Sequence, residues 1–532
     1  MQHNLAQQLP KLLCKGRVFR TFAFLSIACI FMLAACGNGP SSRAGSQSKK
    51  GGNLNVGLIA EPTVLDPLTS VSLYDNDITA NMYDTLLKYD TQNVIRPYLA
   101  QSYSYTSPTL LNLMLRTDVK FHDGTPFNAD AVVFNMNRFI NDKNSPRYTD
   151  VANIESVQKV SDSQVQIHLK KPFAPLLNVL TGAAGAMLSP TAVKKLGKTL
   201  GQAPIGAGSG PFVFVEWIKG DHLLLKANPN YWQKDAQGIQ LPYLQSIRYR
   251  TITNGSVMYT NLETGQIQVA STIDPNEVAL AKANSNLTYR QIAGPGFGSL
   301  FLNLTTPPMN NVHVRRAVAW AINRQEILDH VFHDVGVVAK GPLSPAAWAY
   351  DKNLTSYSYD PNQAKAELAQ SGIAKVSFTL LISSGNPSTL QQAQFIQSQL
   401  QAVGIAVTIQ QETFTAEVTD VQTFHYQVAS LGWTGGLDPD GTMFPLFTSQ
   451  GGFNYTKYTN PQVDALLEAG RTDTNQTQRI ADYRQAQQLI VQDSPYIFII
   501  HPAVYQATSN KVKNYALRPG AVLDFTSVYL GS

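Results

Sequence analysis

Residues 376–409 constrain the fold more than any other part of this chain. An apolar stretch (SFTLLIS) is followed by a helical pattern, in which apolar residues recur every three or four positions up to Val403, and then by a second alternating stretch (IAVTIQ). Gly404 stands between the helix and the second stretch, where glycine commonly ends a helix. Two strands joined through a helix in this way lie parallel to each other. The segment therefore predicts an α/β fold.

Similar patterns continue along most of the chain. Alternation of apolar and polar residues predicts further strands at residues 54–56, 111–115, 165–169, 212–217, 222–225 and 247–252. Helical periodicity predicts helices at residues 130–140, 312–332, 391–403 and 476–491. The roughly 480 residues after position 53 are too many for one ordinary hydrophobic core, so two or three domains are expected.

The first 35 residues have the layout of an export signal. Residues 1–20 contain basic and no acidic side chains, and residues 21–35 are uncharged and mostly apolar. As a helix, the apolar stretch spans only about 22 Å, which is too short for a hydrocarbon core of roughly 30 Å. It ends in LAAC, which resembles the lipobox of bacterial lipoproteins and implies a signal peptide at residues 1–35 and lipidation of Cys36. An ordinary signal peptide with a chance cysteine, or an uncleaved anchor, is the alternative.

Residues 36–53 are expected to form a lipidated, flexible tether. The stretch after Cys36 (GNGPSSRAGSQSKKGGN) is rich in Gly and Ser and cannot form a core. Cys14 and Cys29 lie in the part predicted to be removed, so neither a disulfide nor a cysteine-based metal site is expected. That part also holds four of the 41 basic residues and none of the 36 acidic ones. The remaining chain is therefore almost neutral, which disfavours nucleic-acid binding.

Several blocks along the chain point to one family. The longest covers residues 110–139 (LLNLMLRTDVKFHDGTPFNADAVVFNMNRF). The others are residues 60–67 (AEPTVLDP), 83–87 (YDTLL), 208–212 (GSGPF), 227–232 (ANPNYW) and 314–324 (VRRAVAWAINR). In this order they resemble family 5 of the extracellular solute-binding proteins, which includes oligopeptide-, dipeptide- and nickel-binding proteins of ABC importers. In that family's pattern, residues 83–87 match the first helix.

The resemblance implies an α/β fold of two lobes and three domains, of the periplasmic-binding-protein type with a large inserted domain. The expected parts are a lobe-one sheet domain (51–90, 201–295 and 504–532), an inserted domain (91–200) and lobe two (296–503). Closure of the lobes about two connecting strands, near residues 297–304 and 497–501, would enclose the ligand.

The resemblance also implies a function. The chain would be a monomer that binds a solute, catalyses no reaction and needs no cofactor or metal. Anchored through Cys36 at the outer face of the cell membrane, it would capture a small molecule or peptide and deliver it to an ABC permease complex. Short peptides are the expected ligands. An oligosaccharide, an opine-like compound and a metal chelate are alternatives, as is a receptor that senses its ligand.

Residues 431–440 (LGWTGGLDPD) are similar to the loop in which the family's peptide binders carry an aspartate for the peptide's α-amine. Here Gly436 occupies the expected position of that aspartate. Asp438 could take over its role, or could be an Asp-Pro turn residue that bonds local amides. Trp433 is expected to form a wall for an apolar or ring-shaped group, unless it seals the core of its lobe.

On this basis seven residues are candidates for contact with the ligand. They are Trp433, Thr434, Gly435, Gly436, Asp438, Glu61 and Thr63. An enzyme is disfavoured, because residues 206–210 (GAGSG) fit neither a dinucleotide loop nor a nucleophile elbow. A calcium loop starting at Asp438 would need a glutamate at its twelfth position, where the chain has Ser449.

Overall fold

The computed structural model describes residues 49–518, 520 and 522–531. The predicted signal peptide, Cys36 and most of the tether lie outside the described residues. Within the described ranges, no helix is long and apolar enough to cross a membrane.

Strands make up most of the framework of this part of the chain. In chain order they are β1 (Asn53–Leu58), β2 (Leu87–Tyr89), β3 (Ile95–Pro97), β4 (Ala100–Ser107), β5 (Leu110–Leu115), β6 (Ile154–Ser161), β7 (Gln164–Leu169), β8 (Phe212–Ile218), β9 (His222–Ala227), β10 (Ser246–Thr251), β11 (Val269–Ala270), β12 (Leu287–Ala293), β13 (Phe297–Leu302), β14 (Gly336–Val338), β15 (Val376–Ser383), β16 (Ile405–Glu412), β17 (Val428–Trp433), β18 (Tyr496–Ser509), β19 (Val512–Lys513) and β20 (Tyr529–Leu530).

Helices connect and cover these strands. They are α1 (Leu73–Thr79), α2 (Ala129–Asn141), α3 (Tyr148–Val151), α4 (Leu176–Val179), α5 (Pro190–Leu196), α6 (Gly255–Glu263), α7 (Val278–Ala283), α8 (Val312–Ala321), α9 (Arg324–His330), α10 (Pro361–Ser371), α11 (Pro387–Gln401), α12 (Phe414–Gln422), α13 (Asp440–Phe447), α14 (Pro461–Thr472) and α15 (Gln476–Asp493). Asparagine caps the amino end of seven of them, where its side-chain oxygen accepts a hydrogen bond from a free backbone N–H.

The crossover predicted from residues 376–409 is present. β15 and β16 pair in parallel, with Val376 opposite Ile405, and α11 connects them. Ile396 and Leu400 of α11 are fully buried in the core beneath these strands. Gly404 has a φ of +95°, a backbone conformation that glycine adopts readily, and so allows the chain to turn from helix into strand.

The helix predicted at residues 312–332 is wrong in one respect, because it is two helices. Ile322 is extended and ends α8, and the side chain of Asn323 caps α9. The buried guanidinium of Arg324 stabilises the break, since it donates hydrogen bonds to the carbonyl oxygens of Ala319 (3.1 Å) and of Phe498 (2.6 Å) on a neighbouring strand. These partners come from the tertiary structure, which periodicity does not report.

Residues 83–87 are also not helical, in contrast to what the family pattern implied. The first helix, α1, lies earlier, and Leu87 already begins β2. The reason is the burial of Asp84, whose carboxylate accepts hydrogen bonds from the hydroxyl of Tyr231 (3.1 Å) and the indole N–H of Trp232 (2.8 Å). The chain therefore passes through the interior here in an irregular conformation.

One large sheet contains twelve strands and has two halves that share β18. The first half-sheet consists of β8, β9, β10, β1, β11 and β12, and the second of β16, β15, β17, β13 and β14. Residues 503–509 of β18 pair with β12, whereas residues 496–500 pair with β13. The same long strand thus runs through both halves of the sheet.

A separate four-stranded sheet, in the order β4-β5-β7-β6, lies between β3 and α4 in the sequence. Helix α2 packs on it and buries Val132, Met136 and Phe139. This sheet and helix have their own hydrophobic core, so they form a compact unit beside the two half-sheets.

We predict that Asn81 is essential for holding the C-terminal segment in place. Its fully buried side chain donates to the carbonyl oxygen of Leu523 (2.7 Å) and accepts from the backbone N–H of Phe525 (2.9 Å). Asn81→Ala leaves these groups unpaired and should lower the free energy of unfolding by about 2–4 kcal/mol, measured by denaturant titration. Asn362→Ala, at an exposed position of α10, is the control and should have little effect. Equal losses in the two variants would contradict this role.

Candidate ligand-binding site

A cavity of about 700 Å³ lies between the two half-sheets and the unit built on the four-stranded sheet. Its size falls in the range of small-molecule sites, roughly 300–1,000 Å³. The walls come from residues 71–77 at the start of α1, the segments around α3 and α4, the loop after β17, and the connections between the two half-sheets. Each part of the fold therefore contributes one side of the cavity.

The loop after β17 lies against the connection between β12 and β13. Trp433 is opposite Phe297 in the ladder between β17 and β13. Gly435 has a φ of +71°, and a Cβ atom there would overlap the backbone of Pro295. A Cβ atom at Gly296 would in turn overlap the carbonyl oxygen of Trp433. The two segments are therefore packed backbone to backbone.

Four of the seven predicted site residues line the cavity. They are Trp433, Thr434, Gly435 and Gly436. The ring of Trp433 packs edge-on against Phe453 with 5.0 Å between the ring centroids, and its indole N–H has no hydrogen-bond partner among the described residues. A buried donor without a partner is uncommon in folded proteins. Contact of the four residues with a ligand stays a prediction.

Asp438 does not line the cavity. One terminal nitrogen of Arg479 lies 2.8 and 3.0 Å from the two carboxylate oxygens of Asp438. The guanidinium of Arg479 also lies over the ring of Trp348, at 4.9 Å from its centroid. Asp438 thus belongs to an ion pair within the second half of the molecule.

Glu61 and Thr63 are also absent from the cavity wall. The carboxylate of Glu61 accepts hydrogen bonds from the indole N–H of Trp217 (2.8 Å) and the hydroxyl of Thr251 (2.7 Å). The hydroxyl of Thr63 donates to Asp75 at 2.8 Å. Both side chains hold the segment after β1 in place.

Sequence patterns did not indicate two charged residues of the cavity wall, Arg147 and Asp150. Arg147 immediately precedes α3, and Asp150 belongs to it. Their closest charged atoms are 4.0 Å apart. The surrounding segment has no motif and no clear periodicity, and Pro146 beside Arg147 was the single signal of a fixed turn.

Two further carboxylates of the wall, Asp77 and Asp440, are buried. Burial raises the pKa of Asp77 to about 8, although its carboxylate accepts a hydrogen bond from the backbone N–H of Leu523 (3.0 Å). Burial also raises the pKa of Asp440 to about 6, and the nearby Arg471, at 2.9 Å, opposes this shift. Asp440 is therefore held in a buried ion pair, whereas the burial of Asp77 favours its neutral form.

Contacts across the cavity join its opposite walls on two sides. On one side, Arg471 of α14 donates to the carbonyl oxygen of Thr149 at 2.9 Å. On the other side, the hydroxyl of Ser388 in α11 donates to Asp274 at 2.6 Å. The opposite walls therefore touch each other on both sides of the cavity. The structure shows the molecule with these walls closed on one another.

Comparison with known proteins identifies the family. Residues 94–455 match the family of bacterial extracellular solute-binding proteins, family 5 Middle. The chain belongs to this family. As an extracellular solute-binding protein of the kind that serves ABC importers, it binds a substrate and is not an enzyme.

Its relatives and structural neighbours agree with this assignment. The glutathione-binding protein GsiB of Salmonella choleraesuis is 32% identical over 478 residues, which cover 87% of this chain and 91% of GsiB. The periplasmic binding protein DppA of Helicobacter pylori, in complex with the peptide STSA, is 27% identical with a TM-score of 0.85, over 91% of this chain and 99% of DppA. The oligopeptide-binding protein AppA of Bacillus subtilis, in complex with a nonapeptide, is 26% identical with a TM-score of 0.84, over 91% and 99%.

These similarities confirm the predicted fold class. The solute-binding protein has the α/β fold of periplasmic binding proteins, with a large inserted domain beside two lobes. The two half-sheets are joined by β18, which runs through both of them.

We predict that Asp438 supports the structure rather than the ligand. Asp438→Asn removes the charge that pairs with Arg479 and should lower the free energy of unfolding of the ligand-free protein by about 1–3 kcal/mol. Asp118→Asn, in the more exposed pair with Arg116, is the matched control and should cost less than about 1 kcal/mol. Unchanged stability of Asp438→Asn, together with lost ligand affinity, would instead place Asp438 at the ligand.

Proposed function

We propose that this solute-binding protein captures glutathione, or a closely related short peptide, between its lobes and delivers it to an ABC importer. The observation that carries the proposal is the cavity of about 700 Å³, which combines aromatic walls with charged and hydroxyl groups. Such a site can bury a tripeptide and still offer partners to its amides and charged ends.

Two features favour glutathione among peptides. GsiB, which is named a glutathione-binding protein, aligns with 87% of this chain. In addition, Gly436 stands where the family's peptide binders carry the aspartate for a peptide α-amine, so the chain lacks that means of recognising an α-linked peptide. Glutathione has a γ-linkage at its first residue and places its amine differently.

Closure of the lobes supplies the binding mechanism. When the walls meet, water leaves the cavity, and each polar group of the ligand must then find a protein partner. The contacts of Arg471 with Thr149 and of Ser388 with Asp274 form only when the walls are together. Part of the affinity therefore comes from contacts between the lobes that the bound ligand stabilises.

We propose the same division into domains that the sequence led us to expect. Lobe one comprises residues 51–90, 201–295 and 504–532, the inserted domain residues 91–200, and lobe two residues 296–503. The strands of the four-stranded sheet lie between residues 100 and 169, which supports the proposed inserted domain.

We also propose that the protein is a lipoprotein, cleaved after residue 35 and anchored through Cys36 to the outer face of the cell membrane. The apolar stretch of residues 21–35 and the small residues before Cys36 support this. The tether would let the monomeric binding protein reach its permease. Its last residues already belong to the fold, because the N–H of Gly51 donates to the carbonyl oxygen of Tyr243 (2.8 Å) and Asn53 begins β1.

We predict that glutathione raises the thermal stability of the protein starting at residue 49. A ligand at 100 times its dissociation constant should add about 2.7 kcal/mol to the free energy of unfolding. The measurement is a thermal-shift series with glutathione, α-linked di- to pentapeptides, oligosaccharides and a nickel–histidine chelate, followed by calorimetric titration of each ligand that shifts the transition.

Two tryptophan variants test whether glutathione binds in this cavity. Trp433→Leu should weaken glutathione binding because it removes a wall of the cavity, whereas Trp320→Leu, which removes a ring packed on Tyr357, should leave the affinity unchanged. A shift with oligosaccharides or the chelate alone would overturn the proposal of a peptide ligand.

A further inference from the structure

Arg147 and Asp150 differ from the other charged pairs around the cavity because they are incompletely paired. The terminal nitrogen of Arg147 lies 4.0 Å from the carboxylate of Asp150, which is too long for a hydrogen bond. The side chains are 18% and 26% exposed, and both residues line the cavity. By contrast, the pairs of Asp438 with Arg479 and of Asp440 with Arg471 have contacts of 2.8 and 2.9 Å.

The guanidinium of Arg147 is held in a fixed position. Its Nε donates to the carbonyl oxygen of Ser70 at 3.0 Å. The hydroxyl of Ser145 accepts from the backbone N–H of Arg147 (3.0 Å) and donates to the carbonyl oxygen of Leu68 (2.6 Å). The ring of Phe453, from the opposite lobe, lies 5.1 Å from the guanidinium carbon.

Both groups keep unused hydrogen-bonding capacity. Among the described residues, the two terminal nitrogens of Arg147 have no hydrogen-bond acceptor, and the carboxylate of Asp150 has no hydrogen-bond donor. Burial raises the pKa of Asp150, and the positive charges of Arg147 and Arg471 oppose this shift. Charged groups that are partly withdrawn from water and incompletely paired are costly in free energy. A ligand that supplies the missing hydrogen-bond partners reduces this cost, which favours binding.

A purely structural role explains this arrangement poorly. A pair of residues three positions apart on a helix surface contributes only a few tenths of a kcal/mol. An arginine whose Nε is bonded and whose face is stacked presents its two terminal nitrogens as a fork, which matches the geometry of a carboxylate. The adjacent Asp150 offers acceptors for a cation on the same side of the cavity.

We propose that Arg147 and Asp150 together bind the α-amino acid end of the ligand, with Arg147 on its carboxylate and Asp150 on its ammonium group. This inference rests on the proposed capture of glutathione and identifies γ-glutamyl compounds as the substrate class. A γ-glutamyl residue carries a free ammonium and a free carboxylate on one carbon. An α-linked peptide separates these charges at its two ends and cannot present both to one pair of side chains.

The remainder of the ligand then faces the aromatic wall. Phe453 contacts both Arg147 and Trp433, so a ligand whose charged end lies on Arg147 extends along these rings. The indole N–H of Trp433 and the hydroxyl of Ser299, which have no hydrogen-bond partner among the described residues, belong to residues of the same wall.

The test uses calorimetric titration of the protein with three probes. These are glutathione, glutaryl-cysteinylglycine, which lacks the α-ammonium, and γ-aminobutyryl-cysteinylglycine, which lacks the α-carboxylate. Wild-type protein should bind each truncated probe roughly 10- to 100-fold more weakly than glutathione. Asp150→Asn should abolish the preference for glutathione over the glutaryl probe. Arg147→Gln should abolish the preference for glutathione over the γ-aminobutyryl probe. Arg96→Gln, which breaks the exposed pair of Arg96 with Asp90, should keep both preferences.

The outcomes separate this inference from the proposed function. If wild-type protein binds all three probes equally, the pair does not recognise the α-amino acid end, although glutathione capture stands. If it binds α-linked peptides and not glutathione, the γ-glutamyl class is wrong while peptide capture stands. Binding of none of these ligands would overturn both proposals. The preferences in wild-type protein do not depend on the folding of any variant.

Discussion

The long strand β18 is the constraint on which the rest of the structure depends. Its residues 503–509 are hydrogen-bonded to one half of the sheet and its residues 496–500 to the other, so the two lobes are built on one continuous backbone. The second connection between the two halves, residues 294–296 between β12 and β13, packs directly against the loop after Trp433. The position of this loop, and with it one wall of the cavity, is therefore set by the connection between the lobes.

The charges near the cavity fall into two groups with different consequences. Asp438 with Arg479 and Asp440 with Arg471 are closely paired, and removing one partner would leave a buried charge without compensation. Arg471 also donates to the carbonyl oxygen of Thr149 in α3, across the cavity, so this ion pair helps to define the closed arrangement. Arg147 and Asp150 are held apart and face the cavity, which leaves them free to respond to a ligand.

Local patterns were sufficient to predict the strand-helix-strand crossover at residues 376–409, because neighbouring residues determine it. The cavity position of Trp433 followed instead from the resemblance of residues 431–440 to the family's loop. Distant contacts determine what the patterns did not indicate. The break between α8 and α9 depends on bonds from Arg324 to Phe498, and the orientation of Arg147 depends on Ser70 and Phe453. The sequence did not indicate that Asp438 pairs with Arg479, because the two residues are remote in sequence.

A crystal structure of the protein starting at residue 49, grown with saturating glutathione, tests the capture of this ligand between the lobes most directly. Glutathione should occupy the cavity between the half-sheets, with its α-ammonium beside Asp150 and its α-carboxylate beside Arg147. Glutathione bound outside this cavity, or bound with its γ-glutamyl end at Gly436 and away from Arg147, would contradict the recognition described above.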